Sequence, residues 1–149
     1  MVRIVNSAEG LIGYSELNRQ LKNLDPRKQA NAIRNAVRAA MKPIEQEAKS
    51  TVPTGTVPHK TYKGRLVAPG FASRSIVRLA KSSRDRATFS GVVGVRAEAF
   101  YAVQFWEWGS YGRERTPWLS NAFDRRRKES TEMLRRELKK KIIDQALKK

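Results

Sequence analysis

Residues 100–123 read FYAVQFWEWGSYGRERTPWLSNAF and hold all three tryptophans of a chain otherwise dominated by lysine and arginine. How this stretch is read decides the fold, because it must end one element, turn at Gly109-Ser110 and open another. Two readings of its first half compete. Tyr101, Phe105 and Trp108 recur at helical spacing, whereas an extended chain alternates Val103, Phe105 and Glu107 against Gln104, Trp106 and Trp108. We adopt a short helix ended by Gly109, where a glycine permits the backbone reversal. Thr116-Pro117 then reads as a cap followed by proline at the first helical position, where its missing N–H costs nothing.

That signal opens a long C-terminal helix from about residue 117. Leu119, Ala122, Phe123, Met133, Leu134, Leu138, Ile142 and Leu147 carry its apolar stripe. Between Phe123 and Met133 the stripe thins to DRRRKEST, so the helix is expected to project past the core there or to change the surface it packs against.

Upstream, TFSGVVGVRA and SRSIVRLAKSS read as two strands joined by a polar turn. The second alternates Ile76, Arg78 and Ala80 against Val77, Leu79 and Lys81. Gly91 and Gly94 inside the other strand suggest a bulge or a close backbone approach. Before the hairpin, residues 53–72 mix Gly, Pro, Lys and Thr without a period and read as a long exposed loop. Asp25-Pro26 starts a helix with a stripe of Ala30, Ile33, Ala36, Val37, Ala40, Met41, Ile44 and Ala48, bent or loosened at Pro43. A shorter helix, capped by Ser15, carries Leu17, Leu21 and Leu24.

The expected fold is one α+β domain over residues 1–149: a small antiparallel β-sheet packed against two or three helices, with a long C-terminal helix. At 149 residues, with 40% apolar and 30% charged, the chain can bury a real core. It has no cysteine and one histidine, which excludes disulfides, thiolate metal centres and multi-histidine sites. No stretch reaches the roughly 18 apolar residues of a membrane span, and the N-terminus lacks the apolar core of a signal peptide, so a membrane partner is not expected.

Catalysis finds little support. His59 has no nucleophile motif near it, and Glu98, Glu107 and Glu114 lack the spacing of a metal-dependent nuclease. SGVVGV lacks the Lys-Ser/Thr tail of a phosphate loop and is read as strand. No catalytic, cofactor or metal residue is therefore assigned.

The formal charge of +17 favours an anionic partner, nucleic acid or an acidic protein surface. Candidate contacts are Arg125, Arg126, Arg127 and Lys128, with Lys139, Lys140 and Lys141, although a charge run on a helix is more often a solvated face. The aromatic cluster has three readings: core anchors, a subunit interface, or a platform for stacking bases, in that order.

The order of motifs resembles the phage gene-product-ten-like tail-completion family, also described as neck, head–tail joining or minor tail protein Z-like proteins. The matching positions are Ala48 and Lys49; Pro53, Thr54 and Gly55; Tyr101 and Ala102; Glu107, Trp108, Gly109 and Ser110; and Pro117, Trp118, Leu119 and Ala122. Ser110 stands where the family usually has Thr, tryptophan where Phe is common, and an insertion follows Gly55.

The resemblance implies a non-enzymatic structural virion subunit of a tailed phage, made in the host cytoplasm and assembling as a homo-oligomeric ring, a hexamer or dodecamer, at the head-proximal end of the tail. Its partners would be other neck, connector and tail-terminator proteins, with DNA in the channel as a further candidate. Under it, Tyr101, Phe105 and Trp108 pack the short helix, Gly109 permits the turn, Pro117 restarts the chain, Glu107 caps or pairs with a local arginine, and Trp106 and Trp118 face a neighbouring subunit. The alternative is a non-catalytic nucleic-acid-binding protein using its basic C-terminal helix.

Overall fold

The computed structural model describes residues 25–84, 88–112 and 114–146, together with Arg19 and Lys22. The expected leucine-spaced helix at 15–24 lies outside these residues, apart from Arg19 and Lys22, which are helical. The architecture is α+β, with two small antiparallel sheets and a long C-terminal helix.

Helix α1 (Pro26–Ala40) starts where expected: the Asp25 carboxylate accepts from the backbone N–H groups of Arg27 at 2.9 Å and Lys28 at 3.4 Å. It stops at Met41, and α2 (Lys42–Thr51) begins with Pro43 in its first turn. Proline has no N–H to give to the carbonyl of Ala39, so the chain breaks there instead of continuing as one helix. Buried Ala36, Val37, Ala40, Met41, Ile44 and Ala48 run across the break as a single core face.

Residues 53–72 are more ordered than the composition suggests. Strands β1 (His59–Lys60) and β2 (Leu66–Val67) pair as a small hairpin, and a short helix α3 (Phe71–Arg74) follows. The turn of this hairpin is closed by Thr61 N–H to the Arg65 carbonyl and Gly64 N–H to the Thr61 carbonyl. Thr61 and Val67 are buried, so the segment is anchored, while Thr54–Lys60 remains exposed.

Strands β3 (Ile76–Ser82) and β4 (Phe89–Val95) form the expected hairpin, with Ile76 opposite Val95, Arg78 opposite Val93 and Ala80 opposite Gly91. Those pairs share the face turned to α1 and α2; Leu79 lies on the other face and is exposed. Gly91 is a close-approach glycine: a Cβ there would stand 2.5 Å from the Met41 sulfur. Gly94 has open space around it, so no such requirement applies.

Helix α4 (Ala97–Trp108) and helix α5 (Trp118–Ala146) complete the chain. At 1.5 Å per residue α5 is about 43 Å long. It packs against both α1 and α2, which also meet the β3–β4 hairpin. The charged stretch of α5 does not leave the core. Ser130, fully buried, fills the gap in the stripe and donates its hydroxyl to the Ala40 carbonyl at 2.6 Å, where α1 ends. Trp118, Ala122, Ser130, Leu134 and Leu138 are its buried positions; Leu147 and the side chain of Ile142 lie outside those described.

Candidate assembly interface

The corner between α4 and α5 is built by Glu107. Its buried carboxylate accepts from the backbone N–H of Leu119 at 2.8 Å and of Ser120 at 3.1 Å, and from the Ser120 hydroxyl. These are donors of the first turn of α5, which have no partner within the helix. A carboxylate there also meets the positive end of the helix dipole. Glu107 thus caps, as one of the two expected roles held, and the cap comes from the preceding helix, not from Thr116. Thr116 instead gives its backbone N–H to the Trp106 carbonyl at 2.8 Å, closing the connection.

Gly109 makes the reversal possible. Its φ of 79° and ψ of 174° lie in a region open essentially only to glycine, and its N–H returns to the Phe105 carbonyl at 3.0 Å. Pro117 follows at the start of α5, its carbonyl accepting from Asn121 N–H at 3.1 Å.

The face of α4 that packs inward is not the one expected. Ala99, Val103 and Glu107 are buried, with Ala102 and Trp106 half-buried beside them. Small residues occupy that face because α4 must come close enough for Glu107 to reach the end of α5. Phe105 and Trp108, expected to pack inward, are therefore on the outside, 47% and 62% exposed. Tyr101 is half-buried, but under the small hairpin: its hydroxyl lies 2.8 Å from His59 Nε2, and Tyr62 meets its ring edge-to-face.

The two tryptophans expected at a neighbouring subunit are both turned inward. Trp118 is 4% exposed and belongs to the core cluster, because it is the first residue of a helix whose start is held down by Glu107. Trp106 packs against the same cluster. Phe100, Phe105 and Trp108 are the aromatic side chains exposed on α4; Tyr111 beyond the turn and Tyr62 in the β1–β2 turn are exposed as well. Phe100 and Trp108 stack edge-to-face with ring centroids 5.5 Å apart.

Carboxylates organise the surroundings. Glu98 accepts from the Thr61 hydroxyl at 2.9 Å and receives Arg65 through two nitrogens, at 3.1 and 2.9 Å, tying the β1–β2 hairpin to α4. The Thr61 hydrogen bond first, then Arg65 and Lys63, hold its carboxyl below the usual range. The side chain of Glu45 is nearly buried between Lys49 and Arg78. Burial pushes its carboxyl up, but the hydrogen bonds and charges of both partners outweigh it and leave it lowered.

Of the residues expected to meet an anionic partner, Arg125 and Arg126 are engaged at home. Arg125 reaches Glu47 at 3.2 Å, and Arg126 reaches Glu47 at 2.9 Å and Glu129 at 3.0 Å. Glu47, Arg126 and Glu129 line a groove of about 270 Å³ with Pro43, Gln46 and Ser50. Arg127, Lys128, Lys139 and Lys140 are exposed and Lys141 half-buried.

Among the described residues no group of three or more His, Asp or Glu is placed to hold a metal ion, and no helix is long and apolar enough to cross a membrane. Neither a protein-family model, nor a curated protein, nor a solved structure matches the chain.

Sequence reasoning missed the docking of the small hairpin by Thr61, Arg65 and His59, for which no periodic signal exists. It also missed Ser130, which had one: Ala122, Ser130, Leu134 and Leu138 are separated by multiples of four, and a serine at that spacing inside a charged run belongs to the inward face.

Proposed function

We propose that this chain is a structural subunit of a tailed-phage neck, a tail-completion or head–tail joining protein that assembles as a homo-oligomeric ring and works without catalysis. The support is of two kinds. One is the order of short motifs in the sequence, which resembles that of the family. The other is the α4 surface, and this observation carries the reading: a chain of mean hydropathy −0.62 exposes Phe100, Phe105 and Trp108 on one helix. Large apolar side chains grouped on an otherwise polar surface are typical of sites that bind another protein.

On this reading Phe105 and Trp108 meet the neighbouring subunit, in place of Trp106 and Trp118. Glu107 and Gly109 act by fixing the angle at which α4 presents them. Partners are further copies of the chain and the connector and tail-terminator proteins above and below it; the virion neck is the place of action.

The test is the mass of the purified protein by light scattering over a range of concentration, alone and with phage neck components, beside a variant carrying Phe105→Ser and Trp108→Ser. The expected outcome is a ring for the parent and a monomer of unchanged melting temperature for the variant. A parent chain that stays monomeric under every condition, neck components included, defeats the proposal.

A further inference from the structure

The charge of the molecule is unevenly compensated. On α5, nine cations share the helix with five carboxylates, and Arg125 and Arg126 are bound to Glu47 and Glu129. Arg65 and Arg78 are likewise taken up by Glu98 and Glu45. Helix α1 is different: its 15 residues carry Arg27, Lys28, Arg34 and Arg38 and no carboxylate at all. Asp25, at its start, is occupied with backbone N–H groups. None of these four cations makes an ion pair with a described residue.

Arg27, Arg34 and Arg38 are seven and four residues apart, which puts them in one row along the helix. Asn31 and Asn35 stand in the same row, and Lys42 follows beyond the break. All of them are exposed, on the side opposite buried Ala32, Ala36, Val37 and Ala40. From Arg27 to Arg38 the row extends about 17 Å at 1.5 Å per residue. Like charges at i and i+4 repel, so Arg34 and Arg38 oppose the helix that carries them until an anion lies across both.

We propose that the outward face of α1 holds the phosphate backbone of duplex DNA, without reading its sequence. A straight row of guanidinium groups matches a polymer that presents one negative charge per roughly 1.7 Å of its axis. An acidic protein surface fits less well, because such an interface is centred on desolvated apolar or aromatic anchors and this row has none. A single strand fits less well for a related reason, since no aromatic side chain lies in the row to stack a base. The inference does not depend on assembly into a ring: it concerns a face formed within one chain.

The experiment is an anisotropy titration of a labelled random-sequence duplex at salt concentrations from about 50 to 200 mM. It compares the parent with two variants of equal charge, R34Q/R38Q on α1 and K139Q/K140Q on α5. Each lost phosphate contact removes about 0.9 from the slope of log K against log salt, so R34Q/R38Q is expected to lower it by about 1.8, and K139Q/K140Q by much less. All the altered side chains are exposed and glutamine is a good helix former, and circular dichroism verifies that both variants fold. Equal slope losses in the two variants, or no binding by the parent at the lowest salt, overturn the proposal. So does an acidic polypeptide that binds the parent more tightly than the duplex does. Light scattering on the same samples separates this outcome from the assembly reading, because a monomer that binds duplex through α1 upholds the one while failing the other.

Discussion

Gly109 and Glu107 stand two residues apart and solve one problem between them, how to turn the chain sharply and still start a helix. At φ 79° and ψ 174° a Cβ is strained whatever space surrounds it, so Gly109→Ala is expected to cost about 1–3 kcal/mol. Equilibrium urea unfolding measures this, and an unchanged midpoint would mean that the backbone relaxes at no cost. Glu107→Ala removes the acceptor for two backbone N–H groups and the Ser120 hydroxyl at a buried site. The expected loss is about 1–3 kcal/mol, the range for leaving a buried polar group unpaired. Glu107→Gln keeps an acceptor oxygen and should recover part of it. Hydrogen exchange at the Leu119 and Ser120 amides locates the effect: both should exchange faster in Glu107→Ala, and unaltered protection there would refute the cap.

Elements were legible in the sequence where a short-range signal sets them. Asp25-Pro26, Pro43, Gly109 and Thr116-Pro117 each act on the backbone within a turn, and the boundaries of α1, α2, α4 and α5 lie at or beside them. The β3–β4 hairpin was legible from its alternation and its valines. What long-range packing decides was not. The inward face of α4 is Ala99, Val103 and Glu107 because a carboxylate must reach α5, a demand that hydrophobic spacing cannot express and that put Phe105 and Trp108 on the wrong side. The β1–β2 hairpin is held by Glu98, 37 residues from Thr61 along the chain. Trp118, identical in type to exposed Trp108, is distinguished from it only by position at a capped helix start. Between the hairpin and the helices, one element contact can be tested directly. Gly91→Ala forces its new methyl against Met41, which is itself buried, and is expected to destabilise by about 1–3 kcal/mol. Gly94→Ala, in the same strand with open space, replaces the most flexible residue at no steric cost and should be neutral or slightly stabilising. Equal melting temperatures for the two variants would show that β4 does not press on Met41, at the junction of α1 and α2, as described.

On the scale of the whole molecule, 31 cations oppose 14 carboxylates, so each carboxylate does more for the fold by staying ionised than it would in a balanced protein. The carboxyls of Glu45, Glu47 and Glu98 are all lowered from their ordinary value of 4.5. For Glu47 the hydrogen bonds of Arg126 and Arg125 are the main cause. A folded-state value below the unfolded one means that the folded chain binds protons less readily. The stability these groups contribute is therefore fully present above the unfolded value and is lost as the pH falls through the lowered ones. Protonation there also adds to a net charge already at +17, increasing the repulsion between like charges in the compact state. The melting temperature is accordingly expected to be flat from neutrality down to about pH 5 and to fall steeply below it. Salt should act in opposite senses on the two contributions. It screens exposed ion pairs, which are individually worth little, and it screens the repulsion of the excess cations over distances beyond the Debye length of about 10 Å at 0.1 M. The second effect should win, so added salt should raise the melting temperature at pH 7 and raise it more at pH 4. Calorimetry across pH and salt tests both statements. A melting temperature that falls with salt at pH 7 would mean that the paired carboxylates, and not the excess of cations over the whole chain, dominate the electrostatics of the fold.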